Sequence, residues 1–89
     1  MRAIITVIGK DKVGIVAGIT TELAKHNINI IDINQTIMEE FFTMILMVDL
    51  EKINESFEDI KKALSSEGKK LGVDVKIQRE EIFNSMHTV

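Results

Sequence analysis

One short loop near the amino terminus, Gly9-Lys10-Asp11-Lys12-Val13-Gly14, carries the residues best suited to chemistry. An apolar β-branched run precedes this loop and apolar residues at helical spacing follow it, so the loop joins a strand to a helix. The first amides of a helix lack partners within it and carry the positive end of its dipole, so they bind anions such as a carboxylate. Asp11 can accept a hydrogen bond from an ammonium group, and Gly14 lets a ligand approach the backbone. The loop therefore predicts a site for an α-amino acid, which carries both charges; the alternative is that Asp11 caps the helix and the glycines only form the turn.

A second polar residue, Asn29, stands at the start of the next apolar stretch, near the far end of the same helix. In a homodimer, Asn29 of one subunit can reach a ligand that the other subunit holds. The alternative is a solvated asparagine on an edge strand. Farther along, Asp32, Asn34 and Gln35 interrupt the stretch. Because a buried carboxylate is costly unless it is paired, we expect these three near an edge, a bulge or a partner interface.

The sequence offers no other grouping of residues that favours catalysis or metal binding. It contains no cysteine, which excludes disulfides, thiolate zinc sites and cysteine nucleophiles. His26 and His87 have no metal-ligand spacing, so we expect a surface role for both. The GxxxxG pattern of the loop lacks the Lys-Ser/Thr ending of a nucleotide-binding P-loop, and no histidine or second acid lies close to Asp32 in sequence. We expect no catalytic residue, no metal and no cofactor.

The composition is typical of a small soluble domain. The chain has 89 residues, of which 45% are hydrophobic and 28% are charged, so neither disorder nor a fibrous repeat fits. Its formal charge of -3 has the wrong sign for a protein that coats nucleic acid. The apolar run at residues 3–8 is too short for a secretory signal, and no window reaches the ~20 apolar residues that span a membrane. We therefore expect a cytoplasmic protein without nucleic-acid or membrane partners.

Hydrophobic periodicity predicts the elements that position these residues. They are strands at 2–8, 28–38, 41–50 and 73–78, helices from 13 to about 26 and from about 56 to 71, and a helical tail at 80–89. Gly9 is expected to stop the first strand. The buried stripe of the first helix is predicted at Val16, Ile19 and Leu23, widened by Ile15 and Ala24.

Turn and cap residues refine these boundaries. Only Glu39 and Glu40 separate the second and third strands, which favours a tight hairpin and antiparallel pairing. Asn27 and Gly72 suit the left-handed positions that end the two helices. Ser56, with Asn54 as a competitor, suits the start of the second helix. Gly18 inside the first helix costs ~1 kcal/mol relative to alanine, which close packing of that helix on a sheet would compensate.

The order strand, helix, strand, strand, helix, strand predicts an α+β fold. Two right-handed crossovers interleave into the ferredoxin-like βαββαβ arrangement, a four-stranded antiparallel sheet with both helices on one face. The other face is left uncovered although both sides of the middle strands are apolar, and a contiguous exposed apolar patch indicates a partner. In the second strand, the pattern predicts Ile31, Ile33 and Ile37 on one side of the sheet and Ile28 and Ile30 on the other. In the third strand, it predicts Met44, Leu46 and Val48 on one side and Ile45 and Met47 on the other. We expect self-association by face stacking or edge pairing; alternatively, the tail at 80–89 folds back over the patch.

These residues resemble a known family. The stretch from Val7 to Val16, with its D-x-x-G-I-V start, then Ile19, Leu23, Ala24 and Asn27-Ile28-Asn29-Ile30, resembles an ACT domain over roughly residues 2–79. The tail, with Ile82, Phe83 and Met86, further resembles the small stand-alone ACT-domain proteins, which are similar to halves of the glycine-cleavage repressor. The resemblance implies an ACT domain at 1–79 followed by a helical tail at 80–89.

The resemblance also implies a function. It predicts a non-catalytic regulatory domain that binds a small effector, usually an amino acid, between the subunits of a homodimer. The ligand loop of the family maps onto Asp11, Lys12, Val13 and Gly14, and its strand-two contact onto Asn29. Many ACT loops have proline where this chain has Val13. Because no enzyme or DNA-binding domain is attached, we expect any effect to pass through a regulatory partner protein or a ligand-sensing dimer.

Two other functions fit the same architecture. One is a structural dimerisation or protein-interaction module that binds no small molecule. The other is an acylphosphatase-like enzyme, which would need an arginine in the first strand–helix loop where this chain has Lys10 and Lys12. An RNA-recognition module would show stacking aromatic residues on its central strands and a basic surface, and this chain has neither.

Overall fold

The computed structural model describes residues 1–81 of the chain. The elements, in chain order, are β1 (Arg2–Lys10), α1 (Ile15–Lys25), β2 (Asn29–Met38), β3 (Phe41–Asp49), α2 (Phe57–Leu71) and β4 (Val73–Arg79). The strands form one antiparallel sheet in the order β2-β3-β1-β4. This is the predicted ferredoxin-like βαββαβ arrangement.

The two central strands supply most of the core. Alternate residues of β1 and β3 point toward the helices and are fully or almost fully buried, because a period of two places them on one side of the sheet. They are Ala3, Ile5, Val7, Phe42, Met44, Leu46 and Val48. The predicted alternation of Met44, Leu46 and Val48 against Ile45 and Met47 is therefore confirmed. Gly9 does not stop β1, which continues to Lys10; a Cβ at Gly9 would lie 2.7 Å from Val73 Cγ1.

The first helix buries a narrower stripe than the sequence predicted. Ile15, Ile19 and Leu23 are buried, at positions i, i+4 and i+8. Val16, which was predicted within this stripe, and Ala24, which was predicted to widen it, are exposed, because they project to the sides of the line that packs on the core. The helix also begins two residues later than the predicted Val13, which is itself exposed in the loop.

Both helices end as expected, but Gly18 has a different neighbour. The Ser56 hydroxyl accepts a hydrogen bond from the amide of Asp59 at 3.1 Å, which confirms Ser56 as the N-cap of α2. Asn27 and Gly72 have positive φ angles of 57° and 74° after α1 and α2. A Cβ at Gly18 would lie 2.9 Å from Leu71 Cδ1. Gly18 therefore allows α1 to approach α2, and its expected packing on the sheet is wrong.

Strand β2 lies at the edge of the sheet and carries a bulge. The pairing with β3 shifts between Ile30 and Asp32, and this extra residue reverses the alternation, since two residues then oppose one. Ile30, Ile33 and Ile37 consequently share the helix side, which corrects the predicted opposition of Ile30 to the other two. The expectation of an edge or a bulge for Asp32, Asn34 and Gln35 is confirmed. Glu39, with a φ of 58°, makes the tight turn into β3.

Glu80 and Glu81 are helical, and the remainder of the predicted tail, including Ile82, Phe83, Met86 and His87, lies outside the described residues. Within residues 1–81, neither helix has the length and apolar character needed to cross a membrane.

Candidate functional site

The loop after β1 is exposed at the start of α1, and we call this region the amide mouth: residues Asp11–Gly14 and the first amides of α1. Gly14 is the N-cap of α1 with a φ of 96°, and it supplies no side-chain cap. The first backbone hydrogen bond of the helix runs from the Gly18 amide to the Gly14 carbonyl at 2.8 Å. The amides of residues 15–17 thus precede that bond and, in the described part of the chain, find no backbone acceptor. Such amides attract a carboxylate.

Nothing fills the amide mouth from within the described chain. A Cβ placed at Gly14 would have no heavy atom within 4 Å. Residues 11–14 are all exposed, and Val13 is fully so. The mouth can therefore admit a small molecule without displacing a core side chain.

The carboxylate of Asp11 does not cap α1, so the predicted Asp11 cap is wrong. Its backbone amide instead donates to the Glu40 carbonyl at 2.8 Å, which ties the loop to the turn between β2 and β3. Within residues 1–81 the Asp11 carboxylate has no hydrogen bond or ion pair. The loop thus contains an unpaired carboxylate, which can accept from an ammonium group, and it leads into free helix amides, which can donate to a carboxylate.

Lys12 points away from the mouth, toward the end of the second helix. Its Nζ would lie 3.0 Å from a Cβ built at Gly72, the C-cap of α2. A cation at a helix C-terminus interacts favourably with the dipole and the last carbonyls. The charge of Lys12 therefore lies beside the C-terminus of α2, and its role at the site stays a prediction.

Asn29 lies at the opposite end of the same sheet. It pairs with Asp49 at one end of β3, whereas Met38, at the other end of β2, pairs with Phe41, which also faces Lys10 beside the mouth. The ten residues of β2 span roughly 30 Å. One copy of the chain therefore does not bring Asn29 to the mouth. Asn29 instead lines a surface depression together with Asn27, Asp49 and Lys52.

Sequence reasoning missed a charged cluster at the end of α1. His26 was expected on the surface, but its side chain is only 19% exposed and lies between two carboxylates. Its Nε2 is 2.9 Å from Glu22 Oε2, and its Nδ1 contacts Glu55 in the segment before α2. The hydrogen bond to Glu55 raises the pKa of His26 above 6.5; burial opposes this effect and Glu22 reinforces it. The i,i+4 spacing of Glu22 and His26 was a visible signal, whereas Glu55 meets them only through the fold.

This cluster is an ion-pair clasp and not a metal site. The two carboxylates sit at opposite nitrogens of one imidazole ring, so one cation cannot contact all three side chains. Among the described residues, no group of three or more His, Asp or Glu side chains is arranged to hold a metal.

The sheet side away from the helices, which we call the open face, carries exposed apolar residues. They are Ile8, Met38, Phe41 and Ile45, all between 48% and 70% exposed. On the helix side of β2, Ile33 and Ile37 are also exposed, at 43% and 56%, because β2 is an edge strand beyond the main body of the core. The self-association surfaces expected from the sequence are thus available in a single copy.

Comparisons with known proteins agree with this architecture. A family model of the ACT domain matches residues 2–78. A UPF0237 protein from Clostridium acetobutylicum is 61% identical over 89 residues, which covers 100% of both chains. The solved structure of an ACT domain protein from Streptococcus pneumoniae is 42% identical with a TM-score of 0.83, and the match covers 93% of each chain.

A more distant structure supports the fold alone. It is a candidate glycine cleavage system transcriptional repressor, 21% identical with a TM-score of 0.73, and the match covers 88% of this chain and 44% of that one. One chain of our protein thus corresponds to about half of the repressor, as the sequence resemblance implied. On the family model and the closely similar relative, this chain belongs to the ACT-domain family and to its UPF0237 proteins.

Proposed function

We propose that this protein is a non-catalytic regulatory module in which two copies bind an amino acid between them. The ACT domain is typically a regulatory, ligand-binding unit, and one of the similar structures is the regulatory subunit of aspartate kinase from Thermus thermophilus. The single observation that carries the proposal is the vacant space at Gly14 before the free amides of α1, in the loop that contains the unpaired carboxylate of Asp11.

The ligand chemistry follows from this arrangement. The α-carboxylate of the amino acid accepts hydrogen bonds from the first amides of α1, where the helix dipole favours a negative charge. Its α-ammonium group donates to Asp11. Gly14 has no side chain to hold the ligand away from the backbone. The side chain of the amino acid then extends toward the edge of β2, which adjoins the mouth through the contact of Asp11 with Glu40.

A dimer formed through β2 would complete this site. An edge strand presents unpaired backbone groups that pair readily with another chain. If two β2 strands pair antiparallel about a two-fold axis near Asn34, Asn29 of the second copy comes opposite Met38 of the first. Met38 lies at the mouth end of the sheet. The two predicted contact regions, roughly 30 Å apart in one copy, are then brought together across the interface.

The exposed apolar side chains of β2 support the same geometry. Ile37 would lie near Ile30 of the second copy on the helix side. Burying such residues contributes ~25 cal/mol per Å² of apolar surface, and homodimer interfaces are more apolar than ordinary surface.

Thermal unfolding in the presence of each of the twenty amino acids tests the proposal. A ligand that binds only the folded protein raises the free energy of unfolding by about 2.7 kcal/mol at a concentration of 100 Kd. We expect saturable stabilisation by one amino acid or a few related ones, lost in Asp11→Asn. Asp59→Asn is the matched control, because Asp59 is an exposed aspartate at the start of the other helix.

Three outcomes would contradict the proposal. No stabilisation by any amino acid, with an intact dimer, would favour the alternative of a structural interaction module. Equal loss of the response in Asp11→Asn and Asp59→Asn would place the ligand somewhere other than the amide mouth. Turnover of an acyl phosphate would overturn the non-catalytic assignment.

A further inference from the structure

We infer that His26, clasped between Glu22 and Glu55, is a pH-sensitive switch. The protonated ring fixes the start of β2, and loss of its proton as the pH rises releases that start and weakens effector binding. The part of this inference that concerns the effector rests on the proposed function. The part that concerns the start of β2 does not.

The clasp joins the ends of two helices that follow different strands. His26 is the C-cap residue of α1, and Glu22 lies one turn earlier on the same helix. Glu55 directly precedes Ser56, the N-cap of α2. The glutamates are 14% and 32% exposed, so the three groups are partly withdrawn from water. The clasp is therefore a tertiary contact between α1 and the segment that leads into α2.

Both ring nitrogens are engaged, and this makes the clasp depend on protonation. An imidazolium donates from Nδ1 and Nε2 at once, whereas neutral imidazole donates from only one of them. When one ring nitrogen of His26 loses its proton to water, that nitrogen presents a lone pair to the carboxylate oxygen that it had bound. One arm of the clasp then opens, and the attraction between a cation and two anions is lost.

The charges around His26 favour the closed form at lower pH. A cation suits the C-terminus of α1, and an anion suits the N-terminus of α2. The charged groups that face the clasp are Glu22 and Lys25 from α1 and Glu55 from the segment before α2; Lys25 Nζ is 3.8 Å from the second oxygen of Glu22. The hydrogen bond to Glu55 raises the pKa of His26, burial opposes this effect and Glu22 reinforces it, so the clasp opens on the alkaline side of the ordinary histidine range.

The start of β2 is held by the same helix end. The residue after His26 is Asn27, which turns the chain with a φ of 57°. The next residue, Ile28, is buried and donates its amide to the Leu23 carbonyl of α1 at 3.0 Å. Asn29 follows immediately. A shift of the last turn of α1 therefore moves Asn29, the residue that the proposed dimer presents to the ligand of the other copy.

Hydrogen exchange tests the switch without any ligand. The protection factor of the Ile28 amide, corrected for the intrinsic pH dependence of exchange, should fall about tenfold between pH 6 and pH 8. The protection factor should not change with pH in His26→Gln, which has no titrating ring at residue 26. It should fall as in the natural protein in His87→Gln, the matched histidine control. An Ile28 protection factor that is unchanged while the His26 ring titrates would overturn the inference.

Effector affinity over the same pH range tests the consequence for regulation. The Kd of a stabilising amino acid should rise severalfold from pH 6 to pH 8 in the natural protein and in His87→Gln, and stay flat in His26→Gln. An unchanged Kd in the natural protein would overturn the regulatory step. If no amino acid binds at all but the Ile28 protection factor follows His26, the proposed function fails and the switch stands.

Discussion

Replacing Gly14 by alanine tests the backbone conformation on which the amide mouth depends. The φ of Gly14 is 96°, a region that L-residues adopt at a cost of about 1–2 kcal/mol. A Cβ there meets no heavy atom within 4 Å, so no steric clash adds to this strain. The lower backbone entropy of unfolded alanine offsets about 0.4–1 kcal/mol. We expect a net loss of about 1 kcal/mol, or roughly 4–8 °C in melting temperature.

Urea unfolding followed by circular dichroism measures this loss, and Gly9→Ala provides the contrast. At Gly9 the added Cβ would lie 2.7 Å from Val73 Cγ1 and 3.1 Å from Val73 Cα, so the β1–β4 pairing must shift. We expect Gly9→Ala to destabilise the protein by more than Gly14→Ala, because overpacking typically costs about 1–3 kcal/mol. A neutral or stabilising Gly14→Ala would refute the left-handed conformation. A loss of unfolding free energy as large as that from truncating a core side chain would show that other groups of the protein fill the space at Gly14.

Gly14→Ala also has a ligand readout. The new methyl group projects into the vacant space at the mouth, where the proposed amino acid approaches the backbone. The melting temperature without ligand measures the backbone strain alone. The increase in melting temperature that a stabilising amino acid produces measures ligand binding at the amide mouth. We expect the variant to lose most of that increase. A full ligand response in Gly14→Ala would exclude close contact of the ligand with residue 14.

The remaining predictions concern the cap, the core, the dimer and the clasp. Ser56→Ala should lower the free energy of unfolding by about 1 kcal/mol, measured in urea, because the amide of residue 59 loses its acceptor; no change would exclude the cap. Truncation of Leu64, which is 1% exposed, to alanine should cost about 3 kcal/mol by the same assay, and a loss below 1 kcal/mol would contradict its place in the core. Ile37→Lys should dissociate the proposed dimer in sedimentation experiments, whereas Ile45→Lys, on the open face, should not; the reverse pattern would favour stacking of sheet faces. His26 has a raised pKa in the folded state, so its stabilising contribution is complete below about pH 6.5 and is lost as the pH rises through the folded-state pKa; His26→Gln should remove this part of the pH dependence, and an identical stability profile in the variant would contradict it.

Local signals in the sequence were sufficient to predict most of the fold. The alternation of Met44, Leu46 and Val48 needed only a period of two, and the Ser56 and Gly72 caps depend on groups within a few residues. The bulge in β2 was not predictable in the same way. Between Ile28 and Ile33, isoleucines face both sides of the sheet, so the apolar pattern is the same with or without an extra residue at Ile31.

The candidate site was predictable in its chemistry but not in its surroundings. The type and order of residues in the loop indicated free amides beside Asp11, because these depend on the strand–helix junction alone. The Glu55 contact of His26 depends on how the segment before α2 packs against the end of α1. Likewise, the exposure of Val16 depends on the direction in which α1 faces the core, which a stripe on one helix does not specify.

A mixed-dimer experiment tests the central claim most directly: the effector site takes Asp11 from one copy and Asn29 from the other. Calorimetric titration with a stabilising amino acid is performed on Asp11→Asn, on Asn29→Ala, and on an equimolar mixture allowed to exchange subunits. We expect greatly weakened binding by each variant alone. The mixture should regain about a quarter of the sites at natural affinity, because half of the randomly formed dimers contain one intact site. No recovery in a mixture that has exchanged subunits, or undiminished binding by Asn29→Ala alone, would contradict a site shared between two copies.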